Sequence, residues 1–367
     1  MSMNLMEYMN GGIERIVRKA LKSSLKNPRE SAFLLRYMIA QKDAVKKRNQ
    51  LESQGTHIPS FLIASITTQC NMFCKGCYAR ANQSCSTYPQ QEKLTCDQWK
   101  RIFQEANQLG ISFILLAGGE PLLSRCIIET AAEFPDVIFP IFTNGTIMDE
   151  SYIDLFDKNR NLVPVFSMEG GLIETDKRRG EGVYTSLVGK MKQMNTRGIF
   201  YGTSITVTME NLDVVTSKEF IDTLYKEGCG VVFYIEYVPA EPSTENLVLT
   251  EGGRKILEER QDILRKQYED IIYLSFPGDE KYMGGCLAAG RGFFHINTAG
   301  RAEPCPFSPY SDMNLKDCSL LEALQSPLFQ KLNTQGLMNE EHEGGCVLFG
   351  KQDEIRKLLG YNDTNIK

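Results

Sequence analysis

The sequence predicts an α/β fold built on a parallel β-sheet. After Pro59, short apolar runs alternate with amphipathic stretches, and the strand candidates are 60–67, 111–117, 137–143, 162–168, 199–208 and 231–238. Helix candidates lie between them, at 95–109, 124–134, 149–158, 183–197 and 213–227. Strands that alternate with helices indicate βαβ units, whose crossovers share one hand. Ligands of such sheets bind at the carboxyl ends of the strands.

Capping signals support the clearest of these helices. Thr95 and Gln98 stand at the spacing of a capping box, and Gly110 follows the last apolar position. A capping box satisfies two amide groups at a helix start, while glycine takes the left-handed conformation that ends many helices. The stretch 95–109 is therefore predicted as a complete helix.

A basic, helical extension precedes the first strand. One apolar stripe at helical spacing comprises Ile13, Ile16, Val17, Ala20 and Leu21. Asn27-Pro28 breaks it, and a second helix is predicted for 29–47. Residues 11–48 carry eleven Lys and Arg against three Asp and Glu, a net charge of +8. We expect a solvated basic face for residues 1–58; an acidic substrate, an anionic membrane or RNA are the alternatives.

The composition of the 367 residues is that of a globular protein, with 42% hydrophobic and 24% charged residues. A net charge of −5 argues against bulk nucleic-acid binding. We find no apolar run near the ~18 residues of a membrane span, and no secretory signal at 1–10, so a cytoplasmic location is expected. Eleven cysteines, an odd number, are then not a disulfide framework, which favours metal binding or catalysis.

Three of the cysteines fall within one short loop. Residues 70–79 read CNMFCKGCYA, directly after the first predicted strand. Buried structural thiols are rarely so dense, and structural zinc usually has four ligands. An iron–sulfur cluster takes thiolate ligands, and three of them on a four-iron cluster leave one iron free to bind another molecule.

A glycine-rich turn follows the second predicted strand. It reads Gly118-Gly119-Glu120-Pro121, where glycine permits close backbone approach, Glu120 offers a carboxylate to an ammonium group, and proline suits a helix start. With CxxxCxxC one unit upstream, this turn resembles the GGEP motif of the radical S-adenosylmethionine (radical SAM) enzymes. Two further strand ends match that family, TNG at 143–145 and SMEG at 167–170. The basic run at 178–180 follows the second of them.

The resemblance covers about 60–350 and implies a partial (β/α)6 barrel over 59–249. It implies a four-iron cluster on Cys70, Cys74 and Cys77, and S-adenosylmethionine (SAM) as cofactor. It also implies cofactor contacts from Gly118, Gly119, Glu120, Pro121, Ser167, Glu169 and Arg179. The family usually has an aromatic residue just before the third cysteine, near the adenine. Here that residue is Gly76, and Tyr78 follows the cysteine instead, so Tyr78 is the aromatic candidate.

Residues 250–367 hold four further cysteines after a predicted helix at 251–270. Cys286, Gly300 and Cys305 fit the opening of the auxiliary-cluster modules called SPASM or twitch, with a predicted hairpin turn at 298–300. This resemblance implies one auxiliary four-iron cluster on Cys286, Cys305 and Cys346. The fourth position of this cluster stays undecided between an open iron, Cys318, His342, Glu343 and another group. The alternative to a cluster module is a zinc ribbon. We expect a helix at 319–332 and buried or free thiols at the other positions, namely Cys85, Cys96, Cys126 and Cys229.

The resulting hypothesis is an enzyme that cleaves SAM reductively and takes hydrogen from a peptide, a protein or a small molecule. An electron donor such as flavodoxin or ferredoxin is its expected partner. The two basic helices lack the strands of a leader-binding winged helix, which argues against a leader-dependent peptide maturase. An iron–sulfur scaffold or electron carrier, and a zinc-stabilised adaptor, are the alternative functions. The candidates to line the substrate cavity are Thr203, Ser204, Tyr234, Glu236 and Tyr237.

Overall fold

The computed structural model describes residues 5–23, 27–88, 92–338 and 346–360. One sheet crosses it in the order β7-β6-β5-β4-β3-β2-β1-β8-β9. Its strands are β1 (Phe61–Thr67), β2 (Phe113–Gly118), β3 (Phe139–Thr143), β4 (Leu162–Met168), β5 (Gly202–Val207), β6 (Val231–Glu236), β7 (Ile272–Phe276), β8 (His295–Ile296) and β9 (Ala302–Glu303). The first seven strands pair in parallel, each beside its neighbour in the chain. The predicted α/β class and partial barrel are confirmed.

Helices connect the strands and flank the sheet. They are α1 (Leu5–Ser23), α2 (Pro28–Ser53), α3 (Tyr78–Ala81), α4 (Cys96–Leu109), α5 (Arg125–Ala132), α6 (Glu150–Lys158), α7 (Leu172–Arg179), α8 (Val183–Thr196), α9 (Leu212–Val215), α10 (Lys218–Lys226), α11 (Glu251–Gln267), α12 (Leu320–Leu324), α13 (Pro327–Thr334), α14 (Val347–Gly350) and α15 (Gln352–Leu358). Both halves of the predicted capping box at Thr95 are formed, and Gly110 is left-handed with φ of 83°. None of the helices in the described part of the chain is long and apolar enough to cross a membrane.

Several elements differ from the prediction. A seventh parallel strand, β7, joins the sheet after α11, although 250–367 was assigned to an auxiliary-cluster module. The predicted helix at 213–227 is two helices, because Ser217 caps the start of α10. The helix expected at 319–332 is likewise broken, since Ser326 caps α13 and Pro327 occupies its first turn. The domain boundaries at 58/59 and 249/250 stay a prediction.

The two faces of the sheet pack against different helices. Alternating residues of the strands, such as Phe166 and Val232, join the core formed with Trp99 and Phe103 of α4. The other residues, such as Val165 and Phe233, pack against α1 and α2. The N-terminal helices therefore pack on the inner face of the sheet near the amino ends of the strands, while helices such as α4 pack on the outer face.

The N-terminal helices also cap backbone groups at the amino ends of the strands. Lys19 Nζ donates to Ile271 O, just before β7, at 2.8 Å, and Tyr37 Oη donates to Ser112 O, just before β2, at 3.0 Å. The buried carboxylate of Glu30 pairs with Arg160, before β4, at 3.1 Å. Charged groups of this basic segment are thus used to close the end of the sheet opposite the cysteine loop.

A short hairpin extends the sheet at its other edge. β8 pairs in parallel with β1, and β9 pairs antiparallel with β8, so the predicted hairpin around 298–300 is confirmed. Gly300, at the turn, has φ of 89°, which favours glycine. Because β8 lies beside β1, the hairpin carries Cys305 to the side of the loop that follows β1.

Candidate iron–sulfur and cofactor site

The three loop cysteines lie at the carboxyl edge of the sheet. β1 ends at Thr67, and the amide of Cys70 donates to Ser86 O at 3.0 Å, which ties the loop to the segment after α3. Cys70, Cys74 and Cys77 are all partly exposed. The strand and its anchored loop therefore place three partly exposed cysteines on one short stretch of chain.

A fourth thiol, that of Cys85, lies against this loop, and the sequence did not indicate this contact. A hydrogen bond with Cys85 lowers the pKa of the Cys70 thiol and raises the pKa of Cys85 itself. Burial raises the pKa of Cys74, although the Arg179 guanidinium, 4.0 Å from its Sγ, opposes that effect. Cys70 is thus biased towards the thiolate, the form that binds iron.

The cysteine loop is not arranged around a single ion. In the ranges that the structure describes, no three His, Cys, Asp or Glu side chains form a group that would hold one metal ion. A four-iron cluster spreads its thiolate ligands over different iron atoms, so its ligands do not converge on one point.

The paired glycines at the end of β2 allow two strand ends to meet. Gly118 has φ of 129°, and a Cβ there would collide with the carbonyl oxygen of Thr67. A Cβ on Gly119 would collide with the carbonyl oxygen of Gln69, next to Cys70. The amide of Gly119 instead donates to Thr67 O at 2.7 Å, and that of Glu120 to Gln69 O at 2.8 Å. The glycines therefore hold the start of the cysteine loop in place.

Glu120 is buried and already has protein donors on both oxygens. Its Oε1 accepts from Thr143 Oγ1 at 2.6 Å and Leu122 N at 3.0 Å, and its Oε2 accepts from Asn144 N at 2.7 Å. Burial raises the pKa of this carboxyl to about 7, although the Thr143 bond opposes the shift. Pro121 opens a short 3-10 turn, as expected. Glu120 visibly joins the ends of β2 and β3, and its contact with a cofactor stays a prediction.

The TNG segment after β3 supports the cysteine loop. Asn144 Nδ2 donates to Asn71 Oδ1 at 2.9 Å, and Asn71 Nδ2 donates to Thr146 Oγ1 at 2.8 Å. Asn71 lies between the first two cysteines in sequence. The end of β3 is therefore hydrogen-bonded to the loop that the first two strand ends position.

Glu169, directly after β4, binds two arginines with one oxygen. Its Oε1 accepts from Arg178 Nη1 at 2.5 Å and from Arg179 Nε and Nη2 at 2.9 and 2.6 Å. Both arginines come from the end of α7, a helix that the sequence analysis did not predict. The Glu169 side chain is 2% exposed, and its Oε2 has no hydrogen-bond partner among the described residues.

Arg178 connects this carboxylate to the cysteine loop. Its Nε donates to Lys75 O at 3.0 Å, while the Lys75 amide donates to Arg178 O at 3.1 Å. Glu169, Arg179 and the loop are thus brought together, and their contact with a cofactor stays a prediction. Ser167 lies two residues before Glu169, is partly exposed, and is paired with Ser204 of β5 on the inner face of the sheet.

These residues fit the polar groups of SAM. The unpartnered Glu169 Oε2 is buried, and a buried oxygen without a donor costs about 1–3 kcal/mol unless a ligand supplies one. The guanidinium of Arg179 stands beside both this carboxylate and Cys74, where it complements an anionic carboxylate near the cluster ligands.

Tyr78 faces the C-terminal cysteines. Its ring lies 4.7 Å from that of Phe307, and burial, followed by the charges of Cys77 and Cys305, raises the pKa of its phenol. The ring therefore separates the cysteine loop from the hairpin side. Its predicted contact with the cofactor stays untested.

The structure also brings the three predicted auxiliary cysteines together. A hydrogen bond between Cys305 and Cys346 raises the pKa of the first thiol and lowers that of the second. Burial, followed by the charge of Glu280, raises the pKa of Cys286, and the nearby Cys346 adds to this effect. Residues about 20 and 40 positions apart in sequence thus form one group of thiols.

The candidate fourth ligands are placed differently. The Cys318 thiol donates to Asn314 O at 3.2 Å, and the charges that act on it are those of Glu322, Arg101, Asp317 and Glu105 rather than the three cysteines. The structure thus does not join Cys318 to that group. His342 and Glu343 lie outside the described residues.

Two other cysteines differ from the expectation of free thiols. Cys96, at the start of α4, forms a disulfide with Cys126 of α5, so the prediction for this pair was wrong. The two helices pack side by side on the outer face, which brings together cysteines 30 residues apart. Cys229 is buried beside Thr203, as expected.

A buried polar chain on the inner face was not predicted. Ser65 Oγ lies 2.8 Å from His295 Nε2, and His295 Nδ1 lies 2.7 Å from Glu303 Oε2. Asn297 Nδ2 donates to Glu303 Oε1 at 2.6 Å. The Ser65–His295 contact joins residues 230 positions apart through the pairing of β8 with β1, so no local sequence pattern indicates the chain.

Only part of the predicted cavity lining faces the inner side. Ser204 shares the face of Ser167, and Tyr237 lies against the cysteine loop. Thr203 and Tyr234 are fully buried on the outer face, where Tyr234 Oη donates to Val215 O at 2.7 Å, so these two assignments were wrong. Glu236 also points outward, towards a cleft beside α11. The alternation of side chains along a strand explains the split.

Comparison with known proteins identifies the domain. A family model described as the Radical SAM superfamily matches residues 64–227, from β1 to just beyond α10. The chain carries a radical SAM domain. It is therefore an enzyme of the class that binds a 4Fe-4S cluster and SAM.

Two curated proteins resemble the chain over most of its length. An AdoMet-dependent heme synthase of Methanosarcina barkeri is 26% identical over 320 residues, which cover 79% of this chain and 88% of that protein. A PqqA peptide cyclase of Bradyrhizobium diazoefficiens is 24% identical over 71% of this chain and 69% of its own length.

Solved structures share the fold. Streptococcus suis SuiB, in its complex with the precursor peptide SuiA, superposes with a TM-score of 0.64 at 17% identity, over 83% of this chain and 75% of SuiB. The AdoMet-bound enzyme anSMEcpe superposes with a TM-score of 0.58 at 16% identity, over 73% and 81% of the two chains. The similarity reaches beyond the matched domain into the C-terminal segment.

Proposed function

We propose that the chain cleaves SAM reductively at a cluster held by Cys70, Cys74 and Cys77, and that it takes a hydrogen atom from a peptide, protein or small-molecule substrate. When bound, the cluster and SAM supply one-electron cleavage of a carbon–sulfur bond and a 5′-deoxyadenosyl radical. The observation that carries the proposal is the convergence of four strand ends on the loop that bears these cysteines.

The protein's own residues position the reactants. Gly118 and Gly119 fix the root of the loop on β1, and Asn144 binds Asn71, the residue after Cys70. Glu169 and Arg179 present a carboxylate oxygen and a guanidinium beside Cys74, where they orient the polar groups of SAM. Ser167, on the inner face of β4, is the further proposed contact. Positioning of this kind restricts the direction in which a reactive group meets its substrate.

The C-terminal thiols support a second cluster. We assign Cys286, Cys305 and Cys346 as its ligands, because a hydrogen bond joins the thiols of Cys305 and Cys346 and both lie close enough to Cys286 to interact with its charge. Such a cluster would bind substrate or accept an electron from a product radical. The fourth position of this cluster is open or is held by a residue other than Cys318, because the Cys318 thiol donates to Asn314 O.

The relatives favour a peptide substrate without excluding a small one. SuiB is solved with a precursor peptide and the PqqA enzyme is a peptide cyclase, whereas the Methanosarcina relative is a heme synthase. The proposed partners are such a substrate and a low-potential electron donor of the flavodoxin or ferredoxin type, in the cytoplasm.

The test is formation of 5′-deoxyadenosine by protein reconstituted without oxygen and supplied with SAM and dithionite. We expect the nucleoside from the native chain, and a drop to background when Cys70, Cys74 and Cys77 are all replaced by Ala. Cys229→Ala is the matched control, because it removes a buried thiol on the outer face and is expected to keep activity. Equal activity in the triple variant would overturn the proposal.

A further inference from the structure

The inner face of the sheet is partly open near the carboxyl ends of the strands. Each strand from β1 to β6 carries a partly exposed residue there, whereas inner-face residues closer to the amino ends, such as Val163 and Val231, are buried. The partly exposed residues are Ser65, Ala117, Phe142, Ser167, Thr206 and Ile235. This surface lies at the edge of the sheet that carries the cysteine loop, so a substrate that reacts beside the loop would lie against it.

Ser65 is the partly exposed start of a hydrogen-bonded chain that leads away from this surface. Its Oγ lies 2.8 Å from Nε2 of His295, whose Nδ1 lies 2.7 Å from Oε2 of Glu303. The histidine and glutamate side chains are each only 5% exposed. The chain therefore connects a hydroxyl that a substrate can reach to an imidazole and a carboxylate that it cannot.

The far end of the chain is held by the hairpin turn. Asn297 Nδ2 donates to the second oxygen of Glu303 at 2.6 Å. The Oδ1 of the same asparagine accepts from the backbone amides of Ala299 and Arg301, each at 3.0 Å. The carboxylate is thus fixed on both oxygens, and it in turn fixes the orientation of the His295 ring.

These contacts set the direction in which a proton moves. An ionised carboxylate only accepts hydrogen bonds, so the Nδ1 nitrogen of His295 donates to Glu303. In the neutral imidazole Nε2 is then an acceptor, and the Ser65 hydroxyl donates to it. A hydroxyl within hydrogen-bond reach of such a nitrogen has a general base for its proton.

The Ser65 hydroxyl also has room for a second partner. Its neighbour on β2 is Ala117, a small residue that is itself partly exposed. Among the described residues, the bond to His295 is the one side-chain hydrogen bond of Ser65. Because a hydroxyl oxygen has two lone pairs, it can accept from a substrate while it donates to the ring.

We propose that Ser65 is a catalytic residue that takes a proton from an O–H, N–H or S–H group of the substrate, with His295 as the base behind it. The substrate X–H bond breaks, and its electron pair stays on X. The proton goes to Ser65 Oγ while the hydroxyl proton goes to His295 Nε2, so no electron is exchanged. Glu303 and Asn297 are positioning residues for the ring. The inference rests on the proposed function, since it names a catalytic residue for the same substrate.

The first experiment treats the anaerobically reconstituted chain with diisopropyl fluorophosphate, which modifies hydroxyls that have a general base. The Oγ–P bond forms, the P–F bond breaks with loss of fluoride, and the hydroxyl proton goes to His295. We expect an adduct on Ser65, mapped by mass spectrometry. General base catalysis typically contributes about 10²–10⁴-fold, so His295→Gln is expected to slow the modification about 100-fold.

Ser204→Ala is the matched control for Ser65→Ala. Ser204 also lies on the inner face, on β5, and no imidazole partner is found for it in the described part of the chain. The adduct is expected to disappear in Ser65→Ala and to persist in Ser204→Ala. A native chain without an adduct on Ser65, or equal rates of modification in the native chain and His295→Gln, would overturn the inference.

A second measurement locates the protons on the His295 ring. Nitrogen-15 NMR of the reconstituted chain, labelled at its three histidines, distinguishes the tautomers of each ring, and the His295 signals are those absent from His295→Gln. We expect a proton on Nδ1 and none on Nε2. A proton on Nε2 would overturn the inference, because the ring could then not accept from Ser65.

Formation of 5′-deoxyadenosine by the native chain is measured in parallel. If the nucleoside forms but the Ser65 adduct or the expected tautomer is missing, the inference falls and the proposed function stands. If both are found and no nucleoside forms, the proposed function falls. The two failures are therefore distinguishable.

Discussion

At the scale of single residues, Glu169 forms ion pairs with two arginines beside the cysteine loop. One carboxylate oxygen accepts from two guanidinium groups, and all three side chains are largely buried. Breaking a buried ion pair leaves a charge without a partner and typically costs 3–5 kcal/mol. Glu169→Gln is therefore expected to lower the free energy of unfolding by about 3 kcal/mol, measured by urea denaturation.

Glu174→Gln supplies the comparison for this prediction. Glu174 lies in the first turn of α7, the helix that supplies both arginines, and makes no ion pair within the described part of the chain. Its replacement is expected to change the free energy of unfolding by less than about 0.5 kcal/mol. An equally small change for Glu169→Gln would contradict the structural account of the arginine cluster.

The buried His295–Glu303 pair gives a second residue-scale prediction. Glu303→Leu would leave His295 Nδ1 and Asn297 Nδ2 without their acceptor, at about 1–3 kcal/mol for each buried group. We expect a clear fall in melting temperature. Glu52→Leu breaks a pair of the same chemistry, Glu52–His57, on the surface, and is expected to cost less than about 1 kcal/mol. Equal shifts in the two variants would show that burial does not decide the cost.

Residues of the site were predictable from sequence where a local motif carries them. The cysteine loop and the two glycines could be found, because each lies within a few residues of a strand end. Tyr237 could not, since it meets the loop only when β6 takes its place in the sheet. Cys85 could not, because no motif marks the turn after α3 that brings it to Cys70. The polar chain of His295 could not, since it forms only when β8 pairs with β1. Thr203 and Tyr234 were assigned wrongly because the sequence does not show which face of their strands points to the inner side of the sheet.

At the scale of elements, the contact between the ends of β1 and β2 is the critical one. Gly119→Ala places a Cβ against the carbonyl oxygen of Gln69, so the root of the cysteine loop has to shift. We expect this variant to fold but to lose most of the iron that the loop binds, measured as iron per chain after reconstitution. Gly189→Ala, in α8, has open space around the new Cβ and is expected to retain its iron. Full iron in the Gly119 variant would contradict this account of the strand ends.

The elements that were predicted correctly carry their own boundary signals. The capping box at Thr95 and the glycine at Gly110 are local and were read correctly. Single serine caps, such as Ser217 and Ser326, split stretches that read as continuous helices. β7 was missed because only its pairing with β6 distinguishes it from the segment that follows.

At the scale of the whole molecule, the N-terminal helices close the end of the sheet opposite the site. Burial raises the pKa of Glu30 to about 7, although the Arg160 guanidinium opposes the shift. A carboxyl whose pKa is raised by folding stabilises the protein below its unfolded pKa, and this contribution is lost as the pH rises through about 7. The contribution is at most about 3 kcal/mol.

The corresponding test compares the native chain with Glu30→Gln between pH 5 and 8.5. We expect the melting temperature of the native chain, relative to that of the variant, to fall as the pH rises across this interval. The direction follows from proton uptake by the native state. A difference that is constant across the interval, or that rises, would contradict a buried carboxyl of raised pKa at this position.

We propose that two separate groups of three cysteines each hold a four-iron cluster. The most direct test is the iron and sulfide content per chain after anaerobic reconstitution, in the native protein and in two triple variants. One variant replaces Cys70, Cys74 and Cys77 by Ala, and the other replaces Cys286, Cys305 and Cys346. The account predicts about eight irons in the native chain and about four in each variant. Zinc in place of iron, or a native chain with only about four irons, would contradict it.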